Sequence, residues 1–464
     1  MGSLFISGSL NIIPLVLLFA SLGVVLIIPK VQKRKTVKLQ KVAKVIVAVL
    51  LIGAVVLRFA PLFCDFQYEC PDKVGDSSTH YYGAQQIVQQ GSLDEKYTQQ
   101  ELRYPFLIPY TITLSVFNRF LPIKYSIVLS NVFFDCAGLV GIRKLFRKRK
   151  KCKKYAAILW ITNPISIFSC WLPLNLVLVN VVVVFVLMEF SLLLESIYDR
   201  SKKDIVLRSI LLGLLLFVGN MYRPVFFVFL IAIVIVTILG MEKNKKSIFD
   251  RSVSVVLCIL IAVVSTSLYQ KVVTGAIGED VYDCNIGWSF YLGSNYDTKG
   301  QWSLADYEYY DAEFYAQEGS FPRANKRALR YGLHRYRLMG VIGSVSHFAN
   351  KAQVLFGRIS ESMYDIAKVL VSLVEKHEIM YASIMTLISV YMLALYLSIL
   401  GAFKKSFLKN GSKKKEYAIF ILLSLLGLTA SFLLVEVSSR YFTMFMPILI
   451  AMAAGRGATR KTRE

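Results

Sequence analysis

The stretch VGDSSTHYYGAQQIVQQG, Val74–Gly91, places one carboxylate, Asp76, ahead of small polar residues and a tyrosine pair. Asp76 lies four residues before His80 and five before Tyr81. A carboxylate in such company can take a proton from a hydroxyl if reach and pKa suit. Partial burial near lipid would raise the aspartate's pKa toward a working range. The plainer role for Asp76 is a helix N-cap. From Ser77 the pattern is helical: Tyr81, Ala84, Ile87 and Val88 share one face, Gln85, Gln86, Gln89 and Gln90 the other, and Gly91 is a stop. The two roles are compatible. Asp65, Glu69 and Asp72 precede Asp76 in the same loop, as rival bases or as a solvated acidic loop.

Cations near apolar runs are the second signal. In LLVEVSSRYFTMFMPILIAMAAG, Glu436 and Arg440 are four apart, so a helix there would make them an ion pair. Charges this close to hydrocarbon are costly unless paired or functional. Arg440 suits a phosphate at the membrane surface, because its planar fork matches phosphate oxygens. Arg223, in GNMYRPVFF, is a second phosphate ligand or an arginine that snorkels to the interface. Arg103, in Arg103-Tyr104-Pro105, closes the same pocket or anchors at the interface. Trp288, Tyr291 and Trp302 stack on a sugar face or belong to an aromatic belt. His334, His347 and His377 are too scattered for a metal site. Cys64, Cys70 and Cys284 fall where a disulfide can form, whereas Cys136, Cys170 and Cys258 read as apolar filler.

These residues must be held by membrane helices. The 464-residue chain is 55% hydrophobic, with a net charge of +24 and mean hydropathy +0.54. The charge clusters in short loops, as cytosolic loops of membrane proteins require, so nucleic acid is excluded as a partner and anionic membrane lipids are implied. The expected fold is all-α and polytopic, with about 11 transmembrane helices plus interfacial helices. Spans are expected at about 9–29, 42–63, 123–142, 155–171, 174–195, 206–222, 224–241, 252–270, 378–401, 416–435 and 441–456. The first is a retained helix, with no cleavage site after it. Phe106–Leu121 is short and holds Pro109; a full crossing would put RKLFRKRKKCKK, nine basic residues in twelve, on the wrong side. It is therefore expected to be re-entrant. The chain divides into 1–41, an extra N-terminal helix and basic cytosolic loop; 42–270, the helical core, with outer loop 64–104; 271–377, an extracytoplasmic loop region; and 378–464, the C-terminal helices and basic cytosolic tail.

Taken in order, these landmarks resemble the GT-C glycosyltransferases, in the bacterial branch related to protein mannosyltransferases and aminoarabinose transferases. The landmarks are Asp76 with Tyr81, Tyr82, Ala84 and Ile87; RYPFLIPY; YAAILWITNPISIFSCW; GNMYRPVFFVFLIA; NIGWSFYLGSNYDTKGQWS; and EVSSRYFTMFMPILIAMAAG. Each is loose, and their order carries the likeness. Many relatives have an Asp-Glu pair where this chain has Asp76-Ser77. The resemblance implies an inverting enzyme of a bacterial plasma membrane, acting on the extracytoplasmic side. Its donor would be a polyprenyl-phosphate sugar, and its acceptor a hydroxyl of a glycan, lipid or protein. Asp76 would be the base. Arg440, Arg223 and Arg103 would hold the leaving phosphate, and His80, Tyr81, Tyr104, Trp302, Glu436 and Tyr441 would line the substrate site. No cofactor or metal is required. A lipid-linked sugar flippase or polysaccharide transporter, or a membrane polysaccharide polymerase, would also need phosphate-binding arginines. A transporter should carry ionisable residues along its path, and Asp135 and Glu189 are the carboxylates well inside the expected spans.

Overall fold

The computed structural model describes residues 37–63, 76–240, 245–278, 280–357, 378–406 and 412–455. The expected span 9–29, the rival acids Asp65, Glu69 and Asp72, the cysteines Cys64 and Cys70, His377 and the RGATRKTRE tail lie outside them.

Every regular element among the described residues is helical. In chain order they are α1 (Val37–Phe59), α2 (Asp76–Gln90), α3 (Glu95–Arg103), α4 (Ile108–Asn118), α5 (Ile123–Leu145) and α6 (Lys150–Ile161). There follow α7 (Pro164–Ser169), α8 (Leu176–Asp199), α9 (Lys202–Tyr222), α10 (Phe227–Leu239), α11 (Lys245–Ile277) and α12 (Ile286–Gly293). The last are α13 (Leu304–Tyr310), α14 (Phe321–Ala352), α15 (Glu378–Ser406), α16 (Ser412–Leu434) and α17 (Met446–Gly455).

Six helices are long and apolar enough to cross a membrane: Lys44–Phe63, Ile123–Leu145, Leu176–Asp199, Lys202–Tyr222, Ile248–Ile277 and Lys415–Leu434. Two more apolar stretches, Phe227–Leu239 and Thr386–Leu400, are shorter. The chain is thus an all-α membrane protein, and the described residues hold six long spans where ten of the 11 expected fall. Part of the difference has a local cause. The expected span 155–171 is cut in two at Asn163-Pro164. The Asn163 side chain caps α7 by accepting from the Ile165 amide at 3.2 Å, and Pro164 opens the new helix. The expected span 441–456 starts as a 3-10 stretch, Ser439–Phe445, before α17. The expected re-entrant segment becomes a 3-10 turn, Pro105–Leu107, and α4; eleven residues rise about 16 Å, half the depth of the hydrocarbon core.

α8 is the hub. Its sequence, LVLVNVVVVFVLMEF, is rich in β-branched residues that in water favour strands. In an apolar setting the backbone must satisfy its own polar groups, and a helix does so within one segment. Eighty-three per cent of the α8 window is buried, against 17% for α11 at the periphery. α5, α9 and α17 pack on α8, α11 packs on α9, and α16 packs on α10. A second apolar cluster, with Trp288, Tyr291, Leu292, Tyr310 and Phe314 at its centre, joins α12, α13 and α14 to the turn before α4.

Candidate functional site

Asp76 and His80, one turn apart on α2, lie on the same side of the helix. α2 packs against α4, burying Thr79, His80, Gly83 and Ala84. The described helix opens on Asp76, which places the carboxylate in its first turn. Its Oδ2 accepts a hydrogen bond from Arg440 Nη2 at 2.8 Å, across 364 positions of sequence. The Asp76 side chain is 10% exposed and that of Arg440 28%, so the pair opens on the arginine's side.

Arg440 and Glu436 reach the site on a strap, not on a helix. α16 ends at Leu434, and residues 435–438 run extended to the 3-10 stretch. The Glu436 amide donates to Ser289 O at 2.6 Å and the Val437 amide to Gly300 O at 2.8 Å. Gly293 lets the strap lie flat, because a Cβ there would collide with the Val435 backbone. From below, Lys351 Nζ donates to Val435 O at 2.6 Å and to Gly293 O at 2.9 Å. The expected Glu436–Arg440 helical ion pair therefore does not form: Arg440 bonds Asp76, and Glu436 accepts from the Tyr441 hydroxyl at 3.4 Å.

Arg223 arrives from a third direction. Pro224 ends α9, and the Arg223 guanidinium lies 4.6 Å from the Tyr441 ring centre and 4.7 Å from that of Phe106. Arg223 is only 8% exposed. Among the described residues its guanidinium has no hydrogen bond and no ion pair, although its charge acts on Asp76 and Glu436. Tyr441 stands between the two arginines, with Arg440 5.7 Å from its ring, and stacks on Phe432. Tyr104 is buried beside Phe106 and Trp288. Burial, and then the charges of Glu436 and Asp76, push its phenol well up, so it stays protonated.

The acids are driven apart. Burial pushes the Asp76 carboxyl up, but the Arg440 and Arg223 guanidinium groups outweigh it and hold the group below the usual range. The sequence expectation of a raised aspartate is thus reversed, because lipid-side burial is outweighed by two guanidinium groups. Glu436 goes the other way: burial and the neighbouring Asp76 raise it, against the pull of both arginines. His80 is fully buried, and burial pulls it down to about 3, so it is neutral. Its Nδ1 lies 2.9 Å from Thr111 Oγ1, and its ring meets Tyr110 edge-on.

The structure therefore brings together Asp76, His80, Tyr104, Arg223, Glu436, Arg440 and Tyr441, at the helix ends opposite the basic loops. It leaves three expected residues elsewhere. Arg103 hydrogen-bonds Asp311 and lies over the rings of Tyr307, Trp288 and Tyr310 at 4.1, 5.5 and 5.3 Å. This aromatic cage, built from α12 and α13, holds its guanidinium, while Nε and Nη1 have no hydrogen-bond partner. Trp302 is exposed, with its ring near Tyr307, while Trp288 and Tyr291 are core residues and offer no free face to a sugar. Tyr81 packs against Tyr82 and the cluster of Ala84, Leu114, Ile123 and Ile127. Asp135 and Glu189 are each held by an arginine, Arg58 and Arg208.

Two contributors were not foreseen. Phe106 lay inside the quoted RYPFLIPY, but nothing in that run shows that its ring will sit under Arg223. Lys351 is a lone lysine in SVSHFANKAQVLF, and only packing makes it the floor of the strap; burial pulls it down to about 7. Among the described residues no three His, Cys, Asp or Glu side chains gather as a metal site.

A scan of family models finds none that matches this chain, and a search of curated proteins finds no match either.

Proposed function

We propose that the chain is an inverting glycosyltransferase of the GT-C type that moves a sugar from a polyprenyl-phosphate donor to an acceptor hydroxyl on a glycan, lipid or protein. The observation that carries it is Arg223: a guanidinium that has no hydrogen bond or ion pair among the described residues, beside a second arginine and two carboxylates. Its donors are unspent, and a lipid-linked phosphate entering from the membrane takes them. The basic loops put the opposite helix ends outside the cytosol by the positive-inside rule, in a bacterial plasma membrane.

Asp76 takes the acceptor's O–H proton. The acceptor oxygen bonds to the anomeric carbon from the face opposite the phosphate. The anomeric C–O bond to phosphate breaks, and its electron pair leaves with polyprenyl phosphate, so configuration inverts. Arg223 and Arg440 hold the departing phosphate and stabilise its growing charge. The Asp76–Arg440 bond gives this sequence an order. A bound donor phosphate competes for Arg440, and as Arg440 turns toward it Asp76 loses its strongest acid-strengthening partner and becomes a better base. The enzyme is then basic at Asp76 only when its donor is in place.

A lipid-linked sugar transporter is the second reading, favoured by the low proton affinity of Asp76 in the free protein. The Asp76→Asn variant separates the two. The enzyme keeps donor binding and loses sugar transfer in detergent, measured with a radiolabelled donor. Transfer equal to wild type in Asp76→Asn would end the assignment of Asp76.

A further inference from the structure

α14 is broken at Gly340, whose φ of 62° is a left-handed conformation that glycine adopts without strain. The break forms an elbow. Leu338, Val341, Ile342 and Val345 crowd it, 63 to 87% exposed. Contiguous apolar side chains this bare mark a contact surface. Along the arm that leads to the elbow, Arg323, Arg330 and Arg337 recur every seven residues. Seven residues fall within about 20° of two full turns, so the three form one stripe. All three are exposed, and none has an ion pair among the described residues. The other cations of this arm are committed: Lys326 to Asp283 at 2.6 Å, Arg327 to Glu318 at 3.8 Å and Arg335 to Asp306 at 3.1 Å.

We propose that the α14 elbow seats on the surface of the membrane that the chain itself crosses. Its four aliphatic side chains enter the headgroup boundary, and Arg323, Arg330 and Arg337 hold lipid phosphates. An acidic polymer would match the arginines but leave the apolar tip in water. A bilayer offers an anionic layer directly over an apolar one, which is the order of groups found here. The second arm of α14 runs from the elbow to the strap. His347 Nε2 lies 2.8 Å from Gly293 O, and Lys351 holds Val435 O next to Glu436. A seated elbow therefore braces the strap against the bilayer. The seating stands whichever reaction the site performs.

The test uses the full-length protein in lipid nanodiscs. An Ile342→Cys variant carries an environment-sensitive fluorescent label, and labelling of the native cysteines is measured on the unsubstituted chain and subtracted. Val341→Cys serves if the first variant folds poorly. Lipids with a spin label near the headgroup should quench the probe at least about twofold more than iodide in the water does. Adding phosphatidylglycerol should deepen that quenching, and the combined Arg323→Gln, Arg330→Gln, Arg337→Gln variant should lose the dependence on lipid charge. Quenching by iodide alone would put the elbow in water and overturn the proposal. Protection from both quenchers would mean that protein covers the tip, and would overturn it as well. A triple variant that still responds to phosphatidylglycerol would overturn the role of the arginines.

Discussion

Two arginine–aspartate pairs, Arg58–Asp135 and Arg440–Asp76, join the same groups at nearly the same distance, 2.9 and 2.8 Å. Their surroundings differ. Arg58 gives its Nη1 to the carbonyls of Ala54 and Ile161, and Asp135 also accepts from Ser166 Oγ at 2.5 Å. Trp160 bonds the Asp135 carbonyl, and only Arg58 Nη2 is left over. One cation meets one anion, and the pair ties α1, α5, α6 and α7 together. Arg251–Glu416 is likewise bidentate and joined by the Tyr198 hydroxyl, with Arg251 Nε left over. Around Asp76 the valences are open. Arg440 Nε has no partner, Arg223 has no hydrogen bond or ion pair among the described residues, and burial raises Glu436. Two arginines face two carboxylates, and only Asp76 is bonded to one of them. The clamp commits its arginine within the chain, whereas this cluster keeps guanidinium donors for a group from outside.

The contrast is sharpest in the Asp76→Asn variant. We expect sugar transfer to fall by about 10²–10⁴-fold, the usual share of general-base catalysis. The melting temperature in detergent should stay near wild type. If Asp76→Asn instead melts as early as an Asp135 variant, the two pairs are the same kind of object. Asp135→Ala strands Arg58 in an apolar interior and should cost about 3–5 kcal/mol of stability. It should be seen as a collapse of folded yield and melting temperature, while the protein that does fold keeps its transfer rate. Arg223→Gln should weaken donor binding by about 1.5–3 kcal/mol, the loss of a hydrogen bond to a charged group. Isothermal titration with a polyprenyl-phosphate sugar reads it, and Arg251→Gln should leave affinity unchanged in the folded fraction.

The mildest test uses a buried acid that has no arginine at all. Glu101 is 7% exposed, and burial pushes it up to about 7 from an ordinary 4.5, against the pull of Thr111. A folded pKa above the unfolded one means that folding favours the protonated acid. Stability from this group is present below about pH 4.5 and is lost as pH rises through about 7. Between about pH 6 and 8 the loss should be about 1 kcal/mol. Glu101→Gln should flatten that part of the melting-temperature profile; an unchanged slope would assign it to another group.

How much of this was legible follows from range. Asp76, Arg223 and Arg440 stood out because charges beside apolar runs are costly and few. Their meeting was inferred from topology, and the Asp76–Arg440 bond is consistent with it. The spacing of Glu436 and Arg440 makes an ion pair only if the segment is a helix, and Ser289 and Gly300, distant in sequence, hold it in another form. The surroundings of Arg103 were hidden for a like reason: its cage comes from residues about two hundred positions later. The break at Asn163-Pro164 was the opposite case. Its capping signal is local, yet a hydropathy window averages across it.

The 364 positions between Asp76 and Arg440 also set a clock. At about 5–20 residues per second, synthesis of the intervening chain takes about 20–70 s. For that time Asp76 is without Arg440, and a polypeptide arrested before the strap holds most of the described helices but not the pair.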